Sequence, residues 1–135
     1  MDATKKILNQ IKIPIRWVDL DAYAHVNNAR YFDYMSEARA VWLEKQIVDL
    51  NQCQFILINA QCTFKKPFTY PGIVVLDQYL DSIGNSSIQL YYEFGLEGNL
   101  GVKYAEGFAT LVCFDPRQGK PIRITDSVRK LLGNE

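Results

Sequence analysis

The chain has 135 residues, enough to bury roughly two thirds of its unfolded surface around one core, and a second domain of ordinary size does not fit. Fifteen Lys and Arg cancel fifteen Asp and Glu with no block of like charge, which leaves no electrostatic footprint for nucleic acid or an anionic membrane as partner. One histidine makes a zinc site implausible, and three cysteines without C-x-x-C spacing, set in apolar runs, are expected as buried thiols in a reducing compartment.

The N-terminal M-D-A-T-K-K-I-L-N-Q has no long apolar run and no small-residue cleavage site. No later stretch reaches the roughly 18 apolar residues of a membrane span, so a soluble, cytoplasmic protein is expected. Residues 11–18, I-K-I-P-I-R-W-V, alternate as a strand whose Pro14 lacks a ladder donor and favours a sheet edge or strand start. Then comes a turn that crowds together Asp19, Asp21, His25 and the Asn27-Asn28 pair. An Asn side chain caps an orphan N–H of a helix's first turn, so a helix begins near Asn28. Beyond it Tyr31, Tyr34, Met35, Ala38, Val41, Trp42 and Leu43 recur at spacings of three and four between charged residues, which predicts a core-facing helix over about 28–47.

Residues 48–54 are polar and irregular, and 55–66 alternate with period two. Ile56, Ile58, Ala60, Cys62 and Phe64 are expected to meet the core, with Asn59, Gln61, Thr63 and Lys65 on the other face. P-F-T-Y-P-G at 67–72 is a turn, 73–83 a strand, Gly84-Asn85 a reversal, 87–96 another strand, and E-G-N-L-G at 97–101 a hairpin signal. The strand expected over 102–115 carries Ala105, Gly107 and Ala109 on one face, where the long helix can approach closely. A short tail helix follows, capped by Thr125 or Asp126 and stopped by Gly133. This order predicts an α+β fold of one domain over 1–135, with one long helix wrapped by a curved antiparallel sheet of about five strands.

Free N–H groups and the positive dipole end at the start of the long helix make an anion or carbonyl site, and Asp21 lies a few residues upstream, which suggests hydrolysis. D-x-D followed by three residues and H-V-N-N-A-R-Y resembles the acyl-CoA thioesterases of the 4-hydroxybenzoyl-CoA thioesterase type, which have the hotdog fold. That resemblance implies Asp21 as the catalytic carboxylate, a backbone N–H near Asn28 that polarises the thioester carbonyl, and His25 as the motif's histidine. It implies acyl-CoA as substrate and a homodimer or homotetramer as the working unit. No metal or organic cofactor is expected, because coenzyme A thiolate is a competent leaving group. The family often has Gly where this chain has Ala24, so a positive φ there would be strained.

Asn27, Asn28, Tyr31, Lys65 and Lys66 are the substrate-binding candidates, the lysines for coenzyme A phosphates, and Tyr31, Tyr34, Phe68 and Tyr70 are aromatics able to line an acyl or aryl pocket. Each has a plainer alternative. Asp21 can bond its own turn, His25 can be structural, and paired lysines at a strand end are often only solvated. Asp19 fits a loop-fixing role or a pair with Arg16 or Arg39, and Glu37, assigned to the helix interior, fits a structural bond better than a base. Asp21 and His25 also read as the D-x-x-x-H acid/base pair of a hotdog hydratase or dehydratase. A non-catalytic acyl-binding module is the other rival, since a fold does not guarantee function.

Overall fold

The structure, a computed structural model, describes residues 5–45 and 53–133. In chain order it contains β1 (Lys6–Pro14), a 3-10 turn (Trp17–Asp19), α1 (Asn28–Glu44), β2 (Gln54–Phe64), β3 (Ile73–Ile83), β4 (Ser87–Leu96), β5 (Ala105–Asp115), β6 (Lys120–Pro121) and α2 (Asp126–Leu131). All strand pairs are antiparallel, in the order β1-β3-β4-β5-β2, with the short β6 added to β5. Sequence reading missed β6, whose two residues are too few to show a period.

The helix α1 lies against one face of this sheet because its apolar stripe has nowhere else to go. Tyr31, Tyr34, Met35, Ala38 and Trp42 are buried. Asn27 caps it, its Oδ1 accepting the Ala29 N–H at 2.9 Å. The described helix stops at Glu44 with Lys45 as C-cap, and the rest of the expected 28–47 span lies outside the described residues, as do 48–52 of the irregular segment. The small-residue face of β5 does what its composition suggests: a Cβ added at Gly107 would sit 2.9 Å from Met35 Sδ, so helix and sheet meet here at a distance only glycine permits.

Several boundaries moved for identifiable reasons. β1 begins five residues before the expected position 11 and ends at Pro14, where the missing donor stops the ladder and the chain bends into the 3-10 turn. A register shift between Ile7 and Asn9 breaks the alternation there, which hides the strand's first half from a period-two search. The bulge also brings Asn9 under the helix. Gln78, fully buried on β3, donates to Asn9 Oδ1 at 2.8 Å and to the Ala38 carbonyl at 3.3 Å, and accepts from Tyr92 Oη. β5 starts at Ala105, not 102, because Val102 closes a turn onto Asn99.

The largest correction concerns β2. It begins at Gln54, ends at Phe64 short of the expected 66, and forms a free edge of the sheet. A shift between Leu57 and Asn59 inverts the side-chain parity midway. Ala60, Cys62 and Phe64 lie on the helix side as expected, but Ile56 pairs with Val112 on the opposite face and Ile58 is 59 % exposed. The strand stops because the N–H groups of Lys65 and Lys66 both turn to the Tyr104 carbonyl, at 2.9 and 3.0 Å.

The cysteines also differ from expectation. Cys53 and Cys113 form a disulfide that joins the start of β2 to β5, leaving Cys62 as the free thiol among the described residues. Three unpaired thiols were expected because spacing along the chain says nothing of which strands become neighbours. Cysteine usage therefore no longer argues for a reducing compartment.

Candidate active site

The turn between the 3-10 segment and α1 is built by its own backbone. Asp21 N–H donates to the His25 carbonyl at 2.8 Å and Ala24 N–H to the Asp21 carbonyl at 3.0 Å. Asp21 Oδ1 accepts the N–H groups of Tyr23 at 2.9 Å and His25 at 3.3 Å, so this carboxylate does bond its own turn. Only one of its oxygens is used that way. Ala24 sits at φ 62°, the left-handed conformation where glycine was missed from the motif, so the expected strain is present. Downstream, His25 bridges to Thr69, and Val26 N–H donates to the Phe68 carbonyl at 3.0 Å, which pins the turn to the segment after β2.

Asp19 holds the other side of the turn. It is fully buried, and its carbonyl accepts the Asn27 N–H at 2.8 Å. Its carboxylate accepts the Arg16 N–H at 3.0 Å, Arg16 Nη2 at 2.9 Å and Tyr34 Oη at 3.0 Å, with Arg30 Nε 3.9 Å away. Burial pushes its pKa up, but the bonds from Arg16 and Tyr34 outweigh burial and hold it below the ordinary carboxylate value. The Tyr34 hydroxyl is correspondingly pushed up, by burial first and by Asp19 second. Arg39, the other partner considered for Asp19, donates instead to Tyr92 Oη at 3.3 Å.

At the N-terminus of α1, Ala29 N–H is taken by Asn27 Oδ1 and Arg30 N–H by the Asn27 carbonyl at 2.9 Å. The Asn28 N–H has no hydrogen-bond partner among the described residues. Asn28 lines a cleft of about 290 Å³ together with Asp21, His25, Val26, Tyr31, Phe64, Lys65, Lys66 and Pro67. Six of the seven residues singled out from the sequence thus meet in one place, and the seventh, Asn27, is committed to capping. Tyr31 forms part of the cleft's floor rather than a free contact. It is buried, packs edge-on against Phe64 at 4.8 Å and against Phe94 and Phe68, and burial pushes its hydroxyl up to about 12.

Lys65 and Lys66 flank this floor at the end of β2. Lys65 Nζ lies 3.6 Å from Glu106, and Lys66 Nζ stands over the Tyr104 ring at 5.3 Å. Of the four aromatics expected to line a pocket, Tyr31 lines this cleft and Tyr34 one wall of another, between β1 and α1. Tyr34 and Phe68 belong to the core, and Tyr70 is exposed with its ring edge-on to Trp17 at 5.6 Å. Glu37 is exposed rather than interior, on a separate cleft of about 650 Å³ between β1 and α1. Sequence reading missed Val26, Phe64 and Pro67, and Phe64 had a signal: it ends a strand that proves to be an edge, so its inward ring is only partly covered.

The family model of the Thioesterase-like superfamily matches residues 15–132. The chain belongs to that superfamily. It is 28 % identical over 127 residues to the long-chain acyl-CoA thioesterase FadM of Escherichia coli strain K12, covering 91 % of this chain and 96 % of FadM. Among solved structures it superimposes on the PA2801 protein of Pseudomonas aeruginosa with a TM-score of 0.86 and 32 % identity, over 94 % of this chain and 99 % of that one. YbaW of Escherichia coli gives a TM-score of 0.79 at 26 % identity, over 93 % of this chain and 96 % of that one. The fold of this superfamily member is the hotdog fold, with α1 as its long helix and α2 as its short C-terminal helix.

Proposed function

We propose that this protein hydrolyses acyl-CoA thioesters to a carboxylic acid and free coenzyme A. One observation carries the reading: a carboxylate with an unoccupied oxygen, Asp21, and an unpartnered helix-start N–H, that of Asn28, line the same cleft. The N–H is the oxyanion donor, placed where negative charge develops on the carbonyl oxygen in the transition state, and the helix dipole adds to it without reorganisation. Asp21, bonded through Oδ1 to its turn, presents its other oxygen to the carbonyl carbon, as nucleophile or as base on a water; as base it activates the water that displaces the thiolate and gives the acid directly, and as nucleophile it displaces the thiolate to form a mixed anhydride that water then hydrolyses to the acid and free Asp21. His25 stands beside Asp21 to orient water or the leaving sulfur, and Lys65 and Lys66 hold phosphates of the coenzyme A moiety. FadM's activity on long-chain acyl-CoA supports the substrate class.

The test is free-thiol release from short, medium and long acyl-CoAs and aryl-CoAs, with enoyl-CoA absorbance read in parallel for hydratase activity. Release with unchanged enoyl absorbance supports hydrolysis. No release from any thioester points to the binding module, and hydration without release to the hydratase.

The working unit we propose is at least a dimer, joined along β2. That strand is a free edge carrying exposed Ile56, Leu57, Ile58 and Phe64, a surface that pairing with a second copy would cover. The cleft lies at the end of the same strand, so a partner would complete its wall. Sedimentation of the wild type and of an Ile56→Lys/Ile58→Lys variant, with thiol release read on both, tests this. An assembly that separates and loses activity when the edge is charged supports the shared interface, and an active monomer rules it out.

A further inference from the structure

On the outer face of the sheet, Asp77, Glu93 and Glu106 stand directly opposite one another across β3, β4 and β5. Like charges in that register repel, so something must compensate. Gln10 Nε2 donates to Asp77 at 2.7 Å, and Lys103 Nζ lies 3.2 Å from Glu93 and 3.4 Å from Glu106. Glu106 also accepts from Tyr91 Oη at 2.8 Å. Its last partner follows the end of the neighbouring β2: Lys65, one of the residues lining the cleft, at 3.6 Å. No other carboxylate lies within 4.0 Å of Lys65 Nζ among the described residues. Lys103 has a second one, Glu93.

We propose that Glu106 is a specificity-determining residue which tethers Lys65 to the outer face and so sets how strongly the cleft holds the anionic nucleotide end of its substrate. The inference rests on the reading of Lys65 as a coenzyme A phosphate ligand. A substrate phosphate and the Glu106 carboxylate compete for one ammonium group, and Lys103 competes with Lys65 for Glu106. Glu106 therefore weakens ground-state binding of the nucleotide and leaves the chemical step untouched. Tyr91, foremost, together with the lysines keeps Glu106 below the ordinary carboxylate range, so it stays charged and in competition at neutral pH.

The sign of the effect follows from which partner is removed. Glu106→Gln keeps an acceptor for Tyr91 but releases Lys65, and an exposed ion pair of this kind is worth roughly a two- to fivefold change in equilibrium. KM for an acyl-CoA should drop by that factor with kcat unchanged, and KM for the corresponding acyl-pantetheine, which lacks the nucleotide, should not move. Lys103→Met should act oppositely, raising KM for acyl-CoA, because Glu106 then has Lys65 as its sole cationic partner. Glu97→Gln makes the same change in net charge at a residue paired with Lys12, outside this network, and should leave KM within error. Adding Lys65→Ala to Glu106→Gln should erase the gain.

Equal KM changes in Glu106→Gln and Glu97→Gln would overturn the proposal in favour of general surface charge. So would a KM for acyl-CoA that stays put in Glu106→Gln while Lys65→Ala raises it, although Lys65 would keep its role. If Lys65→Ala changes KM for neither substrate, the assignment of Lys65 fails and the proposal with it. Lys103→Met leaves Glu106 in place and gives the sign test independently of how well Glu106→Gln folds.

Discussion

Replacing Asp21 by Asn separates its two jobs. In the structure Oδ1 holds the turn by accepting the N–H groups of Tyr23 and His25, and the other oxygen has no bond among the described residues. An Asn carbonyl oxygen can take over both turn bonds, so Asp21→Asn should fold with nearly unchanged stability. Asp21→Ala removes both acceptors. At about 0.5–1.5 kcal/mol net for each hydrogen bond, the alanine variant should lose about 1–3 kcal/mol, read as a melting temperature lower by several degrees. Activity should not follow stability. Both variants lack the carboxylate, and loss of a general base or nucleophile costs on the order of 10²–10⁴ in kcat, with KM changed far less. Thermal unfolding by circular dichroism and thiol-release kinetics on the same preparations give the comparison. An Asp21→Asn protein with wild-type turnover would refute the catalytic assignment and leave Asp21 as a turn residue. An Asp21→Asn protein as destabilised as Asp21→Ala would refute the account of the turn.

Ala24→Gly should stabilise the protein by up to about 1.5 kcal/mol, since the left-handed conformation costs a side-chain-bearing residue about 1–2 kcal/mol and the added freedom of the unfolded glycine offsets about 0.4–1 kcal/mol of it. A lower melting temperature in that variant would show that Ala24 is not strained. Gly107→Ala should destabilise by about 1–3 kcal/mol, because its Cβ would press on Met35 Sδ at 2.9 Å and on the Gln61 carbonyl at 3.2 Å; chemical denaturation checks it. The lowered pKa of Asp19 gives a pH dependence of fixed sign. Its contribution is fully present above the ordinary carboxylate value near 3.8 and is lost as pH falls through the lower folded value. Denaturant midpoints between neutral pH and about pH 2 should therefore converge between wild type and Asp19→Asn as the solution becomes more acid, and a constant gap would rule out this titration.

Much of the fold was legible because its signals are local. The Asn27 cap, the three-and-four spacing from Tyr31 to Trp42, and the Pro-Gly and Gly-Asn reversals are properties of neighbouring residues, and neighbours are what a sequence displays. That the candidate residues would meet was legible for the same reason: Asp21, His25 and Asn28 lie within eight positions of one another, so one turn and one helix start bring them together. Lys65 and Lys66 reached the same cleft because β2 ends there, which the sequence marked as a strand end without saying which element it faced. Three things were settled only in three dimensions. The bulge in β2 exchanged the faces of Ile56 and its neighbours, since one extra residue inverts a period of two and leaves no mark on composition. Cys53 and Cys113, 60 positions apart, became partners only because β2 pairs with β5. Glu106 met Glu93 and the end of β2 that carries Lys65 through strand register, and register depends on how hydrophobic faces and turns fit across the whole sheet, which no single stretch of chain contains.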